Sequence, residues 1–238
     1  MTKQIIAHRG ATAYAPENTL IAFEKARAMG SQMIEFDVML SADGKAFVFH
    51  DDELRRTTNG RGEFALTPSE VLHQLDAGRW FSKSHVSEKI PTLHDAIQWL
   101  TATGLHANIE IKPSPGRTEE TTIAVLTHIN RFWPEDKKWP LISSFDGKAL
   151  ALSRSIVPEI PLGLLVDEWR EDWIKEAQDL QCVSVHLSRR CVSEKRIASI
   201  KNQGYVAYVY TVNCKRQAER LFRWGVDAVF SDYPDLLS

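Results

Sequence analysis

Residues Ile34 to Asp52 read IEFDVMLSADGKAFVFHDD, two runs with the period-two alternation of strands on either side of the turn-forming residues SADG. A parallel pair needs a crossover of about a dozen residues or more, so runs this close in sequence form an antiparallel hairpin. With the turn centred on Ala42 and Asp43, His50 is expected opposite Glu35 and Val48 opposite Asp37. Such a hairpin should be apolar on its buried side, yet it carries Glu35, Asp37, His50 and Asp51. A buried carboxylate without a cation normally loses its charge, so this segment requires a positive partner.

Outward from the hairpin the chain repeats one pattern. QIIAHR, MIEFDV, AFVFH, ANIEIK, LISSF, LGLLV, VSVHL, YVAYVYTV and DAVFS are short β-rich runs, and amphipathic helical stretches separate most of them. That alternation predicts an α/β fold, a TIM-type (β/α)8 barrel, and 238 residues is close to the roughly 250 typical of that fold. The runs exceed the eight of a barrel by one, which the hairpin absorbs. ENTLIAFEKARAMG predicts a helix from a polar start to a stop at Gly30. TPSEVLHQLDAG predicts another, with Thr67 as cap, Pro68 in the first position, Glu70 completing a capping box and Gly78 as the stop. The chain is expected to be a single barrel domain over residues 1–238, with residues 52–91 a small insertion too short to bury a core of its own. Its place directly after His50 and Asp51 suggests a cap over the pocket.

Composition narrows the partners. Hydrophobic residues make up 43% of the chain and charged residues 25%, as in an ordinary globular protein. Lys and Arg total 29 against 31 for Asp and Glu, and a net charge of -2 argues against nucleic acid or an anionic membrane surface as partner. Cys182, Cys191 and Cys214 have neither a disulfide-framework pattern nor zinc-ligand spacing. The start MTKQIIAHRG contains no apolar signal region, and no apolar run is long enough to span a bilayer. A cytoplasmic protein with no stable membrane association is expected.

Alternation puts Glu35 and Asp37 on one face of their strand, and Glu110 with Lys112 on one face of NIEIK. Three carboxylates from two strands, with no Cys or His at matching positions, suit a hard divalent cation, Mg²⁺ or Ca²⁺. Without a metal, the same acids would pair with Arg9 and Lys112. His8 and His50 fall at strand ends and are suited to proton transfer beside a bound phosphate, for which Arg9 and Lys112 are natural anion contacts. His186 also lies at a strand end, whereas His73, His85, His94, His106 and His128 read as structural or solvated. Trp80, Phe81, Phe145, Trp169, Tyr210 and Tyr233 are candidates for a pocket floor. The chain contains no P-loop, no GxGxxG before a helix and no GxSxG, which argues against nucleotide, dinucleotide and serine-hydrolase chemistry.

The ordered set HRG, PENT, EFDV, DG…VFHDD, NIEIK, SSF, YTVN and RWGVDAVFSDYP resembles the bacterial glycerophosphodiester phosphodiesterases of the cytoplasmic branch, from one end of the chain to the other. The resemblance implies a barrel of the phospholipase C-like phosphodiesterase type with an insertion after the second histidine. It also implies metal-dependent hydrolysis of small-molecule glycerophosphodiesters to sn-glycerol 3-phosphate and an alcohol. Metal ligands then match Glu35, Asp37 and Glu110, acid/base groups match His8 and His50, and substrate contacts match Arg9 and Lys112. A related phospholipase acting on whole lipids would need an apolar membrane-facing rim, and a metal-free barrel that only binds a phosphate would show no turnover.

Overall fold

Eight of the β-rich runs find parallel partners on both sides, which closes the sheet and leaves no edge inside the ring. The structure, a computed structural model, describes residues 4–237. Its strands are β1 (Gln4–His8), β2 (Met33–Leu40), β3 (Ala46–Val48), β4 (His106–Ile111), β5 (Leu141–Ser144), β6 (Leu162–Val166), β7 (Ser184–Ser188), β8 (Val206–Tyr210) and β9 (Ala228–Ser231). The helices are α1 (Leu20–Ala28), α2 (Ser69–Gln74), α3 (Leu93–Thr103), α4 (Thr118–Phe132), α5 (Gly147–Ile156), α6 (Trp173–Asp179), α7 (Glu194–Asn202) and α8 (Lys215–Arg223). The sheet order β1-β9-β8-β7-β6-β5-β4-β2 is closed by pairing of β1 with β2, and β3 joins β2 from outside as the antiparallel hairpin strand. This is a TIM barrel.

The alternation of β2 shows how the sequence builds two layers. Ile34, Phe36 and Val38 point outward and pack with Phe23, Ala26, Ile97 and Leu100 of the surrounding helices. Phe36 and Phe23 lie 5.4 Å apart between ring centroids. Burying an aromatic of this size contributes about 1.5–3 kcal/mol. Met33 belongs to the separate barrel cluster of Ile6, Leu141, Ala228 and Phe230. Glu35 and Asp37 follow Met33 on the same face, toward the C-terminal ends of the strands.

The hairpin forms as expected but in a register shifted by one residue: Val48 pairs with Val38, Phe47 with Met39 and Ala46 with Leu40. The loop has three residues rather than two, closed by the Ser41 N–H donating to the Lys45 carbonyl at 2.9 Å. Gly44 takes the left-handed conformation (φ 73°) that such a loop requires. As β3 ends at Val48, His50 lies beyond the ladder and is not paired across from Glu35.

The capping expected for α2 is also corrected. The helix begins at Ser69 after Pro68, without a side-chain cap, and Thr67 Oγ1 donates to the Glu63 carbonyl. Asp43 takes over that role from the hairpin loop, accepting from the Ser69 N–H at 2.7 Å and the Ser69 hydroxyl at 2.6 Å. A carboxylate fixed by the hairpin satisfies the helix start, so no local capping box is needed. The helix stops at Gln74, before Gly78. The segment after β3 does organise a buried cluster of Leu54, Phe64, Leu72, Ala77 and Ile90, completed by Met39, Phe47 and Phe49 of the hairpin. Its length alone did not foresee this, because the hairpin supplies part of the apolar surface.

Candidate active site

Strand β1 ends at His8, and the two residues after it take left-handed conformations, Arg9 at φ 54° and Gly10 at φ 89°. A Cβ on Gly10 would come within 2.7 Å of the Ala22 backbone, so glycine lets this turn lie against α1. The turn aims the Arg9 N–H at Glu35 Oε2, 3.0 Å away, and sends the guanidinium inward. There Nη1 donates to Glu17 Oε1 at 2.7 Å, and Nε lies 3.1 Å from Asp37 Oδ2.

In the barrel register His8 sits beside Glu35, Glu35 beside Asn108 and Asp37 beside Glu110. Carboxylate oxygens of Glu35, Asp37 and Glu110 thereby lie within 4.8 Å of one another. Burial and the charges of Asp37 and Glu110 push the Glu35 carboxyl well above its ordinary range. Burial and Asp37 push Glu110 up to about 8. Burial also raises Asp37, but Arg9, His50, Lys112 and the Asn18 hydrogen bond (3.0 Å) outweigh it and hold this carboxyl below the usual value. The protein alone thus lacks the positive charge to keep three acids ionised.

Each histidine is backed by a carboxylate. His8 Nδ1 donates to Asp232 Oδ1 at 2.7 Å, and Asn213 Nδ2 holds the other oxygen of Asp232. His50 Nδ1 donates to Asp51 Oδ1 at 2.6 Å. Burial raises both acids, but the histidines, with Asn213 and Arg56, outweigh it and leave both below the ordinary range; as ionised acceptors they fix the proton on Nδ1 and leave Nε2 free. Burial lowers the His50 imidazolium against the pull of Asp37.

His8, Arg9, Glu35, His50 and Glu110 line one cavity of about 150 Å³ with Asn108, Phe145, Leu165, Tyr210, Thr211 and Phe230. At about 30 Å³ per water, that volume suits a small polar ligand. Asp37 lies behind the wall, 1% exposed. Lys112 opens onto an adjoining cleft that shares Glu110 and Phe145 with the cavity. Of the aromatic candidates only Phe145 and Tyr210 line the cavity, and no residue of 52–91 is part of its lining. His186 is fully buried between Tyr208 and Phe230, bonded to Ser184 and pushed down to about 3 by burial. It lies outside the cavity lining.

Reasoning from sequence gave no role to Glu17, Asn18, Arg56, Asn108, Asn213 or Asp232, nor a specific one to Asp51. Asp232 and Asp51 stand just after β9 and β3, where a search of strand C-terminal ends for acids would have found them.

A closed parallel barrel with this acid cluster and two carboxylate-backed histidines at its C-terminal rim belongs to the phosphoric diester hydrolases. Residues 8–236 match the family model of the glycerophosphoryl diester phosphodiesterases, and the chain belongs to that family. It is 32% identical to a glycerophosphodiester phosphodiesterase of Caldanaerobacter subterraneus, over 100% of this chain and 97% of that one. A glycerophosphodiester phosphodiesterase of Bacillus subtilis is also 32% identical, over 97% of this chain and 84% of the relative. The structure of an Oleispira antarctica phosphodiesterase in complex with the product sn-glycerol-3-phosphate superposes with a TM-score of 0.94 at 40% identity, covering 97% of this chain and 93% of that one. Among the described residues no helix is long and apolar enough to cross a membrane.

Proposed function

We propose that this hydrolase cleaves small glycerophosphodiesters, such as glycerophosphocholine or glycerophosphoethanolamine, to sn-glycerol 3-phosphate and an alcohol, using one divalent cation held by Glu35, Asp37 and Glu110. The observation that carries this is a three-carboxylate cluster, with Glu35 and Glu110 on the wall of one small cavity and Asp37 behind it, meeting two carboxylate-backed histidines on the same wall. The donor set fits such an ion: it is all oxygen, largely buried and short of positive charge, which favours Mg²⁺ or Ca²⁺ over zinc. When bound, the cation would supply Lewis acidity at a phosphoryl oxygen and lower the pKa of a neighbouring hydroxyl.

The chain's own residues do the rest. Arg9 offers its guanidinium to a phosphoryl oxygen, held in place by Glu17 and Asp37. Lys112 adds positive charge from the adjoining cleft. One histidine takes the proton of the attacking water or hydroxyl through Nε2, and the other protonates the departing alcohol oxygen. Asp232 and Asp51 keep each ring in the required tautomer. Phe145, Leu165 and Phe230 supply apolar walls that limit water around the reacting phosphorus. We place the enzyme in a reducing, cytoplasmic compartment, which its free cysteines Cys182, Cys191 and Cys214 support, and treat it as one barrel domain with residues 52–91 inserted.

Incubation with glycerophosphocholine and magnesium or calcium is expected to release glycerol 3-phosphate, and a chelator to stop it. Product formed equally with chelator would rule out the metal role, and no product with either ion would rule out the substrate.

The metal-free protein should also show a pH signature. Burial and Asp37 let Glu110 keep its proton up to about 8 in the folded state, against the ordinary 4.5 of a free glutamate. Folded protein therefore binds more protons than unfolded chain between those values, and stability falls as pH rises through the window. Below 6.5 the buried His186, pushed down to about 3, has the opposite effect, so melting of chelator-treated protein is expected at progressively lower temperature from pH 6.5 to pH 8, where Glu110 is left to act. Added cation should stabilise most at the alkaline end, because its binding displaces that proton. A melting temperature that rises across the same window would contradict the shift.

A further inference from the structure

No residue of the inserted segment 52–91 lines the cavity, yet one of them reaches the catalytic machinery. Arg56 Nε donates to Asp51 Oδ2 at 2.5 Å, and Nη2 to Asp51 Oδ1 at 2.8 Å. From its other side, Nη1 donates to Glu17 Oε2 at 2.6 Å, and Nη2 to Glu17 Oε1 at 2.7 Å. One guanidinium thus holds two carboxylates with all three of its nitrogens. Asp51 carries the Nδ1–H of His50, while Glu17, whose side chain is 6% exposed, carries Arg9.

We propose that Arg56 is a positioning residue for His50, bracing Asp51 against the buried Glu17 so that the imidazole and the Arg9 guanidinium share one anchored network. His50 lies past the last ladder pair of β3, so its backbone lacks the restraint that β1 gives His8. Asp51 follows it directly in the chain and needs an external anchor to hold the ring. The planar fork of arginine can bond two carboxylates at once, as a single ammonium cannot. This also accounts for the place of the insertion: it supplies the brace immediately downstream of the residue that is braced. The part played by His50 in turnover rests on the proposed function, whereas the bracing itself does not.

The test uses the full-length protein with saturating magnesium. Arg56→Ala is expected to lower kcat on glycerophosphocholine about 10- to 100-fold, the usual scale for losing a group that orients a functional ligand. KM should move much less, because Arg9 keeps its own hydrogen bond to Glu17 and its ion pair with Asp37. Arg56→Lys should recover only part of the loss, and added guanidinium ion should rescue Arg56→Ala but not the wild type. In an Asp51→Asn background the same substitution should have little further effect.

Proton NMR gives a readout that needs no turnover. The Nδ1–H protons of His50 and His8, assigned by their loss in His50→Gln and His8→Gln, should both be downfield and sharp in the wild type. Arg56→Ala should broaden or shift the His50 signal and spare that of His8, whose partner Asp232 is held by Asn213. Arg56→Lys carries the same measurements if the alanine variant does not fold. A wild type inactive on glycerophosphocholine would overturn the substrate assignment while the NMR comparison still decides the brace. An Arg56 variant with wild-type kcat, an unshifted His50 proton, or equal loss of both histidine signals would overturn the proposal.

Discussion

Asp37→Asn and Glu110→Gln are each expected to lower kcat/KM for a glycerophosphodiester by about three orders of magnitude, since Lewis-acid stabilisation worth about 4 kcal/mol corresponds to about 10³ in rate. Their effects on the metal-free fold should have opposite signs. The Glu110 carboxylate makes no hydrogen bond or ion pair among the described residues, and burial and Asp37 oppose its ionisation. Glu110→Gln should therefore hold or raise the melting temperature of chelator-treated protein above pH 8 while abolishing magnesium binding by calorimetry. Asp37 is paired with Arg9 and Asn18. Removing its charge should destabilise the fold by about 3 kcal/mol, the lower end for breaking a buried pair, because Glu17 still holds the guanidinium. Wild-type turnover and magnesium affinity in Glu110→Gln would show that these acids do not form the metal site.

His8→Ala and His50→Ala should each reduce kcat by at least about 100-fold, the scale of a general acid or base. Each variant should also lose one limb of the bell-shaped pH dependence of kcat/KM, which separates proton transfer from a packing role. Because the two imidazoles are backed from opposite parts of the chain, Asp232→Asn should resemble the His8 variant and Asp51→Asn the His50 variant, each in milder form. Turnover close to wild type in both alanine variants would remove the histidines from the mechanism.

The sequence made the i,i+2 acids conspicuous because a strand repeats every two residues wherever it sits, so Glu35 and Asp37 share a face before any partner is known. The same local rule separated Ile109 and Ile111 from Glu110. Arg9 was legible for a different reason, since a cation beside a β-run must answer a nearby charge. The hairpin register differs by one residue from that of a two-residue turn because the loop closes over three residues with Gly44 in the left-handed conformation, and SADG is compatible with either loop length. The start of α2 is not legible from its own neighbourhood because its cap, Asp43, lies 26 residues upstream.

Strand periodicity, turn chemistry and the excess of acids on one strand face are properties of neighbouring residues, and they determined the barrel, the hairpin and the candidates for metal, proton and phosphate contacts. The supports of the histidines were decided only by tertiary closure. His8 meets Asp232 across 224 residues because β1 pairs with β9, and Arg56 meets Glu17 across 39 because the segment after β3 folds back to the loop beyond β1. Contacts of that kind depend on which strands become neighbours when the sheet closes, and no local pattern in the chain encodes that distance.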